Sequence, residues 1–233
     1  MEIGGLQKTT LIDYPGKIAA TIFLIGCNFR CPFCYSSELV LPEKIKKQPR
    51  ISEREVLDFL YERKDELDGV VICGGEPTLQ PDLEDFLKKI KKMNFLIKLD
   101  TNGSQPQVLK KLIEKKLIDY IAMDIKAPLN QEKYNLATGQ KIDLNGIKES
   151  INLIKKGGVD YEFRTTVVPT IHTLEDIVEI AKEIAPAKRY YLQNFKAEKT
   201  IDPKFCQIKS FSEEELKKTI EIIKKFFEEC KLR

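Results

Sequence analysis

Cys27, Cys31 and Cys34 place three of the chain's six cysteines within eight residues. On a helix, thiols at this spacing would share a face but be strung along about 10 Å of axis, too far to enclose a compact inorganic core. Pro32 removes an amide donor and Asn28 tolerates turns, so the segment is predicted to be a loop. A loop can fold three thiolates around one centre. Structural zinc takes four protein ligands, usually from two paired knuckles, and no second Cys-x-x-Cys is present. A zinc reading must recruit Cys73 or His172, and a thioredoxin-like redox reading uses Cys31 and Cys34 alone. A four-iron cubane accepts three thiolates and leaves one iron open to chelate a small molecule. That last reading accounts for the third cysteine together with the polar groups downstream.

The elements that must carry this loop follow from apolar patterning. Ile18 to Ile25 is apolar apart from Thr21, which fits a strand buried on both faces and delivering Cys27 at its carboxyl end. Leu11 to Gly16 is a turn-rich lead-in, and Leu41 to Arg50, with Pro42 and Pro49, is predicted as a loop. Further strands are expected at Val70 to Cys73, Phe95 to Leu99, Tyr120 to Met123, Tyr161 to Val168 and Tyr190 to Phe195. Helices are expected between them. One starts at Ser52 with a Glu55 capping box; others cover Asp82 to Lys92, Gln105 to Lys115, Leu144 to Lys156 and Leu174 to Ile184, and the last runs from Ser212 to about Lys231. Strict alternation of six strands and six helices predicts an α/β fold, an incomplete (β/α)6 barrel of parallel strands with a side opening. A single domain is expected over 1–233, with a core at about 16–196 and a C-terminal tail and helix at 197–233.

With 233 residues and 42% hydrophobic content the chain can bury a full core. Lys and Arg number 39 against 36 acidic residues, and a net charge of +3 is too small to argue a nucleic-acid surface. There is no basic and apolar leader and no apolar run near twenty residues, so a cytoplasmic protein without membrane association is expected. Clustered cysteines in a chain of this length point to metal or redox use rather than a disulfide scaffold.

In parallel α/β folds, functional groups gather where strands end. Here those ends carry Gly74, Gly75 and Glu76; Asp100, Thr101 and Asn102; Asp124 and Lys126; Arg164 to Thr166; and Gln193 with Asn194. Paired glycines allow close ligand approach, and the Glu76 carboxylate suits an ammonium group. Asp100 and Asp124 are acceptors for a cation or an ammonium, while Lys126 and Arg164 are donors for a carboxylate. Amine plus carboxylate describes an amino acid. An open iron would chelate those same two groups, so the rim suits the methionyl end of S-adenosylmethionine.

Cys27, Cys31 and Cys34 followed by Tyr35, with Gly74 to Pro77 ending the next strand, resemble the motifs of the radical S-adenosylmethionine superfamily. Leu11 to Lys17, Phe23 to Cys27, Asp100 to Gly103 and Met123 to Lys126 look like the glycyl-radical-enzyme activases, most of all those serving anaerobic ribonucleoside-triphosphate reductase. The resemblance implies one [4Fe-4S] cluster with an open iron on the three cysteines. It also implies cleavage of S-adenosylmethionine to a 5′-deoxyadenosyl radical, which takes hydrogen from a backbone glycine of a glycyl-radical enzyme. A flavodoxin or ferredoxin would supply the electron.

By position, the resemblance sets Tyr35 beside the adenine and gives the methionyl amine to Glu76 and the Gly74 and Gly75 backbone. Asp100, Thr101 and Asp124 match a monovalent-cation site beside the methionyl carboxylate, which Lys126 contacts. Asn102, Arg164 and Gln193 complete the cofactor-binding set. Tyr14 stands where pyruvate formate-lyase activases commonly carry glycine, which points away from that branch. Ser36 to Ile51 lacks the cysteines of a ferredoxin-like insert, and Cys206 and Cys230 are too few for an auxiliary cluster. Two other readings stand beside this one, a radical enzyme acting on a small molecule or modified nucleoside and a non-catalytic zinc module. Cys73 reads as a buried small hydrophobe, His172 as a hydrogen-bonded surface residue, and Phe226 and Phe227 as the core face of the last helix.

Overall fold

The computed structural model describes residues 1–233. Its strands are β1 (Ile3–Thr10), β2 (Ala19–Leu24), β3 (Gly69–Gly74), β4 (Leu96–Thr101), β5 (Tyr120–Asp124), β6 (Asp160–Val167), β7 (Ala187–Asn194) and β8 (Phe227–Leu232). They form one sheet in sequence order. All neighbours from β2 to β8 are parallel, and β1 is antiparallel to β2. The sheet is not closed, so the six expected parallel strands are present as an incomplete barrel, with one further strand at each edge.

The helices are α1 (Ser37–Val40), α2 (Pro42–Ile45), α3 (Glu53–Glu62), α4 (Leu83–Lys91), α5 (Pro106–Glu114), α6 (Gln131–Thr138), α7 (Leu144–Lys156), α8 (Leu174–Ile184) and α9 (Glu213–Ile223). Local chemistry sets their starts. Ser52 and Glu55 form the expected capping box of α3, and Thr173 with Asp176 and Ser212 with Glu215 do the same for α8 and α9, each satisfying amides that a helix start leaves unpaired. No helix is long and apolar enough to cross a membrane.

Strand alternation divides the sheet's two faces. Val70, Ile72, Ile97, Leu99, Ile121, Met123 and Phe163 belong to one cluster of 48 buried residues that also takes in the apolar faces of α3 to α9. Full burial of one such side chain contributes roughly 1.5–3 kcal/mol. Val71 and Tyr120 alternate with these and join Tyr14 and Ala19 in a small cluster on the other, concave face. Towards the strands' carboxyl ends the concave face turns polar, and there the site is built.

The edges depart from expectation. β1 escaped prediction because Gly4, Gly5, Gln7 and Lys8 break any alternation, yet it pairs along β2 from Ile3↔Leu24 to Thr10↔Ala19. The last helix stops at Ile223, and Phe227 begins a strand that pairs with β7 as Ala187↔Phe227 through Leu192↔Leu232. Helix-forming Lys and Glu residues dominate that stretch, but the bare edge of β7 offers unpaired amides and carbonyls that a strand satisfies. Phe226 and Phe227 still reach the core, from a 3-10 turn and a strand rather than from a helix face. The predicted loop at 41–50 contains α2, opened by Pro42 at its first turn. Helix α6 was not expected. Its buried side chains are only Tyr134, Ala137 and Thr138, too few for a periodic signal, although Asn130 caps it through Glu132 and Lys133 and Gly139 ends it in the left-handed region.

Candidate active site

The cysteine segment is a loop held from several sides. The Gly75 amide donates to Leu24 O at 2.8 Å and the Glu76 amide to Gly26 O at 2.7 Å, which ties the end of β3 to the residues entering the loop. Glycine is required for that approach. A Cβ on Gly74, whose φ is +119°, would lie 2.3 Å from Leu24 backbone atoms, and one on Gly75 would lie 2.0 Å from Gly26 O. Further on, the Arg30 amide donates to Thr138 O at 2.8 Å, so the end of α6 braces the loop. The Arg30 guanidinium donates to Cys27 O at 2.6 Å and Phe29 O at 2.7 Å. The Asp202 amide reaches Pro32 O at 2.9 Å, and the Cys34 amide reaches Cys31 O at 3.0 Å.

The three thiols line one cavity of about 700 Å³, together with Tyr35, Gly74, Gly75, Asp100, Thr101, Asn102, Asp124, Lys126, Arg164 and Gln193. Of the residues proposed to hold the cluster or the cofactor, only Glu76 does not line it. Glu76 is fully buried. Its carboxylate accepts from the Thr78 amide at 3.1 Å and from the Thr78 hydroxyl. It also accepts from the Thr101 hydroxyl at 2.8 Å and the Asn102 amide at 2.6 Å. Burial pushes its pKa up, while four donors aimed at it favour the carboxylate. Gly75, by contrast, lines the cavity, and its carbonyl accepts no hydrogen bond from the protein.

A ladder of charge crosses the cavity wall. Arg164 donates to Asp100 at 2.9 Å and to Asp124 at 3.0 Å, with Lys98 bonded to Asp100 at one end and Lys126 to Asp124 at 2.9 Å at the other. Register explains it, because Asp124 pairs directly with Arg164 across β5 and β6, and Lys98 lies two residues before Asp100 on the same face. Burial alone would raise the Asp124 carboxyl, but Arg164 and Lys126 hold it well below the usual carboxylate range. Burial likewise works against the Lys126 ammonium, and Asp124 together with Cys31 and Cys34 more than offsets it. The Arg164 guanidinium thus stands between the two carboxylates expected to hold a cation, and the Thr101 hydroxyl is turned to Glu76.

Burial pushes the Cys27 thiol up to about 11 and Cys31 up to about 12, and raises Cys34 as well. Cys34 disfavours the thiolates of Cys27 and Cys31, and Cys27 that of Cys31. Three buried thiolates side by side need positive charge, which a cluster of irons supplies. The Phe29 amide donates to Cys27 Sγ at 3.4 Å and Asn102 Nδ2 lies 3.9 Å from it, contacts of the kind that tune a cluster's sulfurs. The residues present therefore fit a [4Fe-4S] group. His172 could not complete a zinc site. It is buried at 3% exposure, its Nδ1 accepts from the Val168 amide at 3.0 Å, and its Nε2 lies 2.7 Å from Lys126 O. It is thus not the surface residue expected.

The other cysteines take no part in this arrangement beyond Cys73, which lines the same cavity with its thiol pushed up by burial to about 12. Cys206 donates to Glu198 O at 3.3 Å, and Cys230 sits in β8. Tyr35 is 40% exposed, stacks on Phe195 with ring centroids 6.0 Å apart, and accepts from the Lys196 amide at 2.7 Å. Thr166 and Asn194, which stand at the predicted strand ends with Arg164 and Gln193, also line the wall, whereas Lys196 and Arg233 on it were not expected. Thr166 lies two residues beyond Arg164 on the same strand, a period-two signal. Asn194 Nδ2 donates to Phe211 O at 2.7 Å, while its Oδ1 is buried without a protein partner. A second cleft of about 560 Å³ opens where the strands begin, beside Tyr14, Tyr120 and Arg189. Arg189 is paired there with Asp160 at 2.8 Å.

An open parallel barrel with three thiols on the loop after its first parallel strand, facing acids and bases from the next strands' ends, defines an iron-sulfur enzyme of the partial-barrel class. Comparison with known proteins makes this specific. The model of the radical SAM superfamily matches residues 21–184, and the chain belongs to that superfamily. It is accordingly a radical SAM enzyme, whose cofactors are a [4Fe-4S] cluster and S-adenosylmethionine. It is 36% identical over 238 residues to a Methanocaldococcus jannaschii protein named as a candidate glycyl-radical enzyme activating enzyme, covering 99% of this chain and 95% of that one. It is also 30% identical over 138 residues to a candidate GTP 3′,8-cyclase of Thermococcus kodakarensis, covering 55% of this chain and 41% of the relative. Among solved structures, Streptococcus suis SuiB bound to S-adenosylmethionine shares the fold at TM-score 0.68 and 17% identity, over 89% of this chain and 48% of that one.

Proposed function

We propose that this enzyme activates a glycyl-radical enzyme, and that its partner is an anaerobic ribonucleoside-triphosphate reductase. The observation that carries the first part is the end-to-end likeness to the Methanocaldococcus protein, which covers nearly all of both chains. The likeness to the cyclase covers less than half of that relative. The second part rests on the motifs at Leu11 to Lys17 and Met123 to Lys126. Held by Cys27, Cys31 and Cys34, a cluster would supply the single electron that cleaves the sulfur–C5′ bond of S-adenosylmethionine to methionine and a 5′-deoxyadenosyl radical, the species that would take the glycine's hydrogen. A flavodoxin- or ferredoxin-type donor supplies the electron, and a reducing cytoplasm suits the oxygen-sensitive site.

The chain's own residues bind and orient. Cys27, Cys31 and Cys34 hold the cluster. Lys126 and Arg164, the cationic rungs that line the cavity, take the methionyl carboxylate. The free Gly75 carbonyl takes the methionyl amine, with Gly74 allowing the approach, and Glu76 acts by fixing the Asn102 loop rather than by touching the amine. Tyr35, stacked on Phe195, offers a flat surface beside the adenine, with Gln193 and Asn102 completing the wall. A monovalent cation at Asp100, Thr101 and Asp124 would have to displace the Arg164 guanidinium, which already bonds both carboxylates, so this reading gives that place to Arg164.

The test is anaerobic reconstitution with iron and sulfide, reduction, and incubation with S-adenosylmethionine and the anaerobic reductase from the same source. A glycyl doublet in the electron paramagnetic resonance spectrum is expected on the reductase. A doublet only on a different glycyl-radical enzyme would change the partner. No doublet on any such enzyme, with conversion of GTP instead, would replace the activase reading with the small-molecule one.

A further inference from the structure

His172, the chain's only histidine, is buried, hydrogen-bonds to the cavity-lining residues through one carbonyl, and is held in a single tautomer. The Val168 amide donates to Nδ1 at 3.0 Å, so that nitrogen is the acceptor and Nε2 carries the proton. Nε2 then donates to Lys126 O at 2.7 Å. On the other side of the same residue, the Lys126 amide donates to the Tyr134 hydroxyl at 3.3 Å, and Tyr134 is fully buried. Both backbone polar groups of Lys126 are therefore gripped by buried aromatic side chains from elements that follow β5 and β6.

The turn that presents His172 is itself strained. Thr170 has φ +77°, a conformation that β-branched residues rarely adopt. The His172 amide returns to Val168 O at 2.8 Å, closing the turn around it. Strain of this kind persists where surrounding contacts over-determine it, and here those contacts converge on the ring. Beyond Lys126, the side chain runs into the cavity and bonds Asp124 at 2.9 Å.

We propose that His172 is a positioning residue which, with Tyr134, fixes the backbone of Lys126 so that its ammonium meets the carboxylate of the bound S-adenosylmethionine. This rests on the assignment of Lys126 to that carboxylate made above. The role is remote, and so its signature is selective: losing it weakens ligands that carry the carboxylate and spares those that do not.

The test measures binding of S-adenosylmethionine and of its decarboxylated analogue to the cluster-loaded protein by anaerobic equilibrium dialysis. Wild type, His172→Leu, His172→Gln and Tyr134→Phe are compared. His172→Leu is expected to weaken S-adenosylmethionine about tenfold, as loss of one well-placed charge contact would, and the analogue by less than about twofold. His172→Gln keeps an amide donor for Lys126 O and is expected to recover most of the loss. If His172→Leu cannot be loaded with cluster, Tyr134→Phe and His172→Gln carry the comparison, each with a smaller loss confined to the carboxylate-bearing ligand. Equal weakening of both ligands, or none, overturns the role. Wild-type protein that binds the two ligands equally overturns the Lys126 assignment first and the role with it.

Discussion

The Asn102 amide donates to Glu76 Oε2 at 2.6 Å, so the loop after β4 hangs on a carboxylate from the loop after β3. Thr78 and Thr101 supply the carboxylate's other donors. Replacing Glu76 by glutamine would turn an amide NH2 toward groups that are themselves donors. Glu76→Gln should cost at least about 2 kcal/mol, since hydrogen bonds to a buried charged group are worth roughly 1.5–3 kcal/mol each. Urea denaturation of the metal-free protein checks this; an unchanged midpoint would mean that the clasp is not needed.

Arg164 bridges Asp100 and Asp124, which Lys98 and Lys126 pair from the outer sides. Arg164→Met leaves the part-buried Asp100 and Asp124 with only Lys98 and Lys126 as charged partners, and each lost hydrogen bond to a charged group costs roughly 1.5–3 kcal/mol. Asp100→Asn alone also costs stability, because Lys98 and Arg164 lose their shared partner, and combined with Arg164→Met the two losses should be less than additive, a coupling that a double-mutant cycle measures. Additive losses would contradict the ladder.

Asp124 makes the apo protein sensitive to acid. Its folded pKa is depressed by Arg164 and Lys126 against the opposing effect of burial. The folded state therefore binds fewer protons than the unfolded chain at low pH. The stabilisation is complete above the unfolded carboxyl value near about 4 and is lost as pH falls further toward the folded value. Thermal midpoints of Asp124→Asn and wild type should thus converge below about pH 4 and separate above it.

Cluster loading should follow the loop and not the cavity. Cys34→Ser is expected to lose the cluster, whereas Cys73→Ser, though altering the same wall, should retain about four irons per chain. Iron and sulfide analysis after reconstitution decides it, and loss of iron in Cys73→Ser would make Cys73 a ligand.

The part of this site that was legible in the sequence lies at strand ends, where Cys27, Gly74, Gly75, Asp100, Asp124 and Arg164 stand next to apolar runs that declare the strands. The motif at Gly74 to Glu76 was legible as a position but not as a role, because nothing in the residue type says that Glu76 turns away from the cavity toward Thr101 and Asn102. Lys98 was hidden inside an apolar strand, although its period-two relation to Asp100 was available. The grip on Lys126 could not be read at all. Tyr134 lies on a helix with little amphipathic signal, and His172 is 46 residues away in sequence from the carbonyl it holds. At the sheet's edges, β1 and β8 form because β2 and β7 need partners, a tertiary demand that local propensity does not record.

The most direct test of the central claim follows the hydrogen atom. The partner reductase is prepared with α-deuterated glycine and incubated anaerobically with the reduced, cluster-loaded enzyme and S-adenosylmethionine, and the released 5′-deoxyadenosine is examined by mass spectrometry. Transfer from a backbone glycine predicts 5′-deoxyadenosine carrying one deuterium, formed together with the glycyl signal. Undeuterated 5′-deoxyadenosine, released at the same rate with or without the partner, would contradict it.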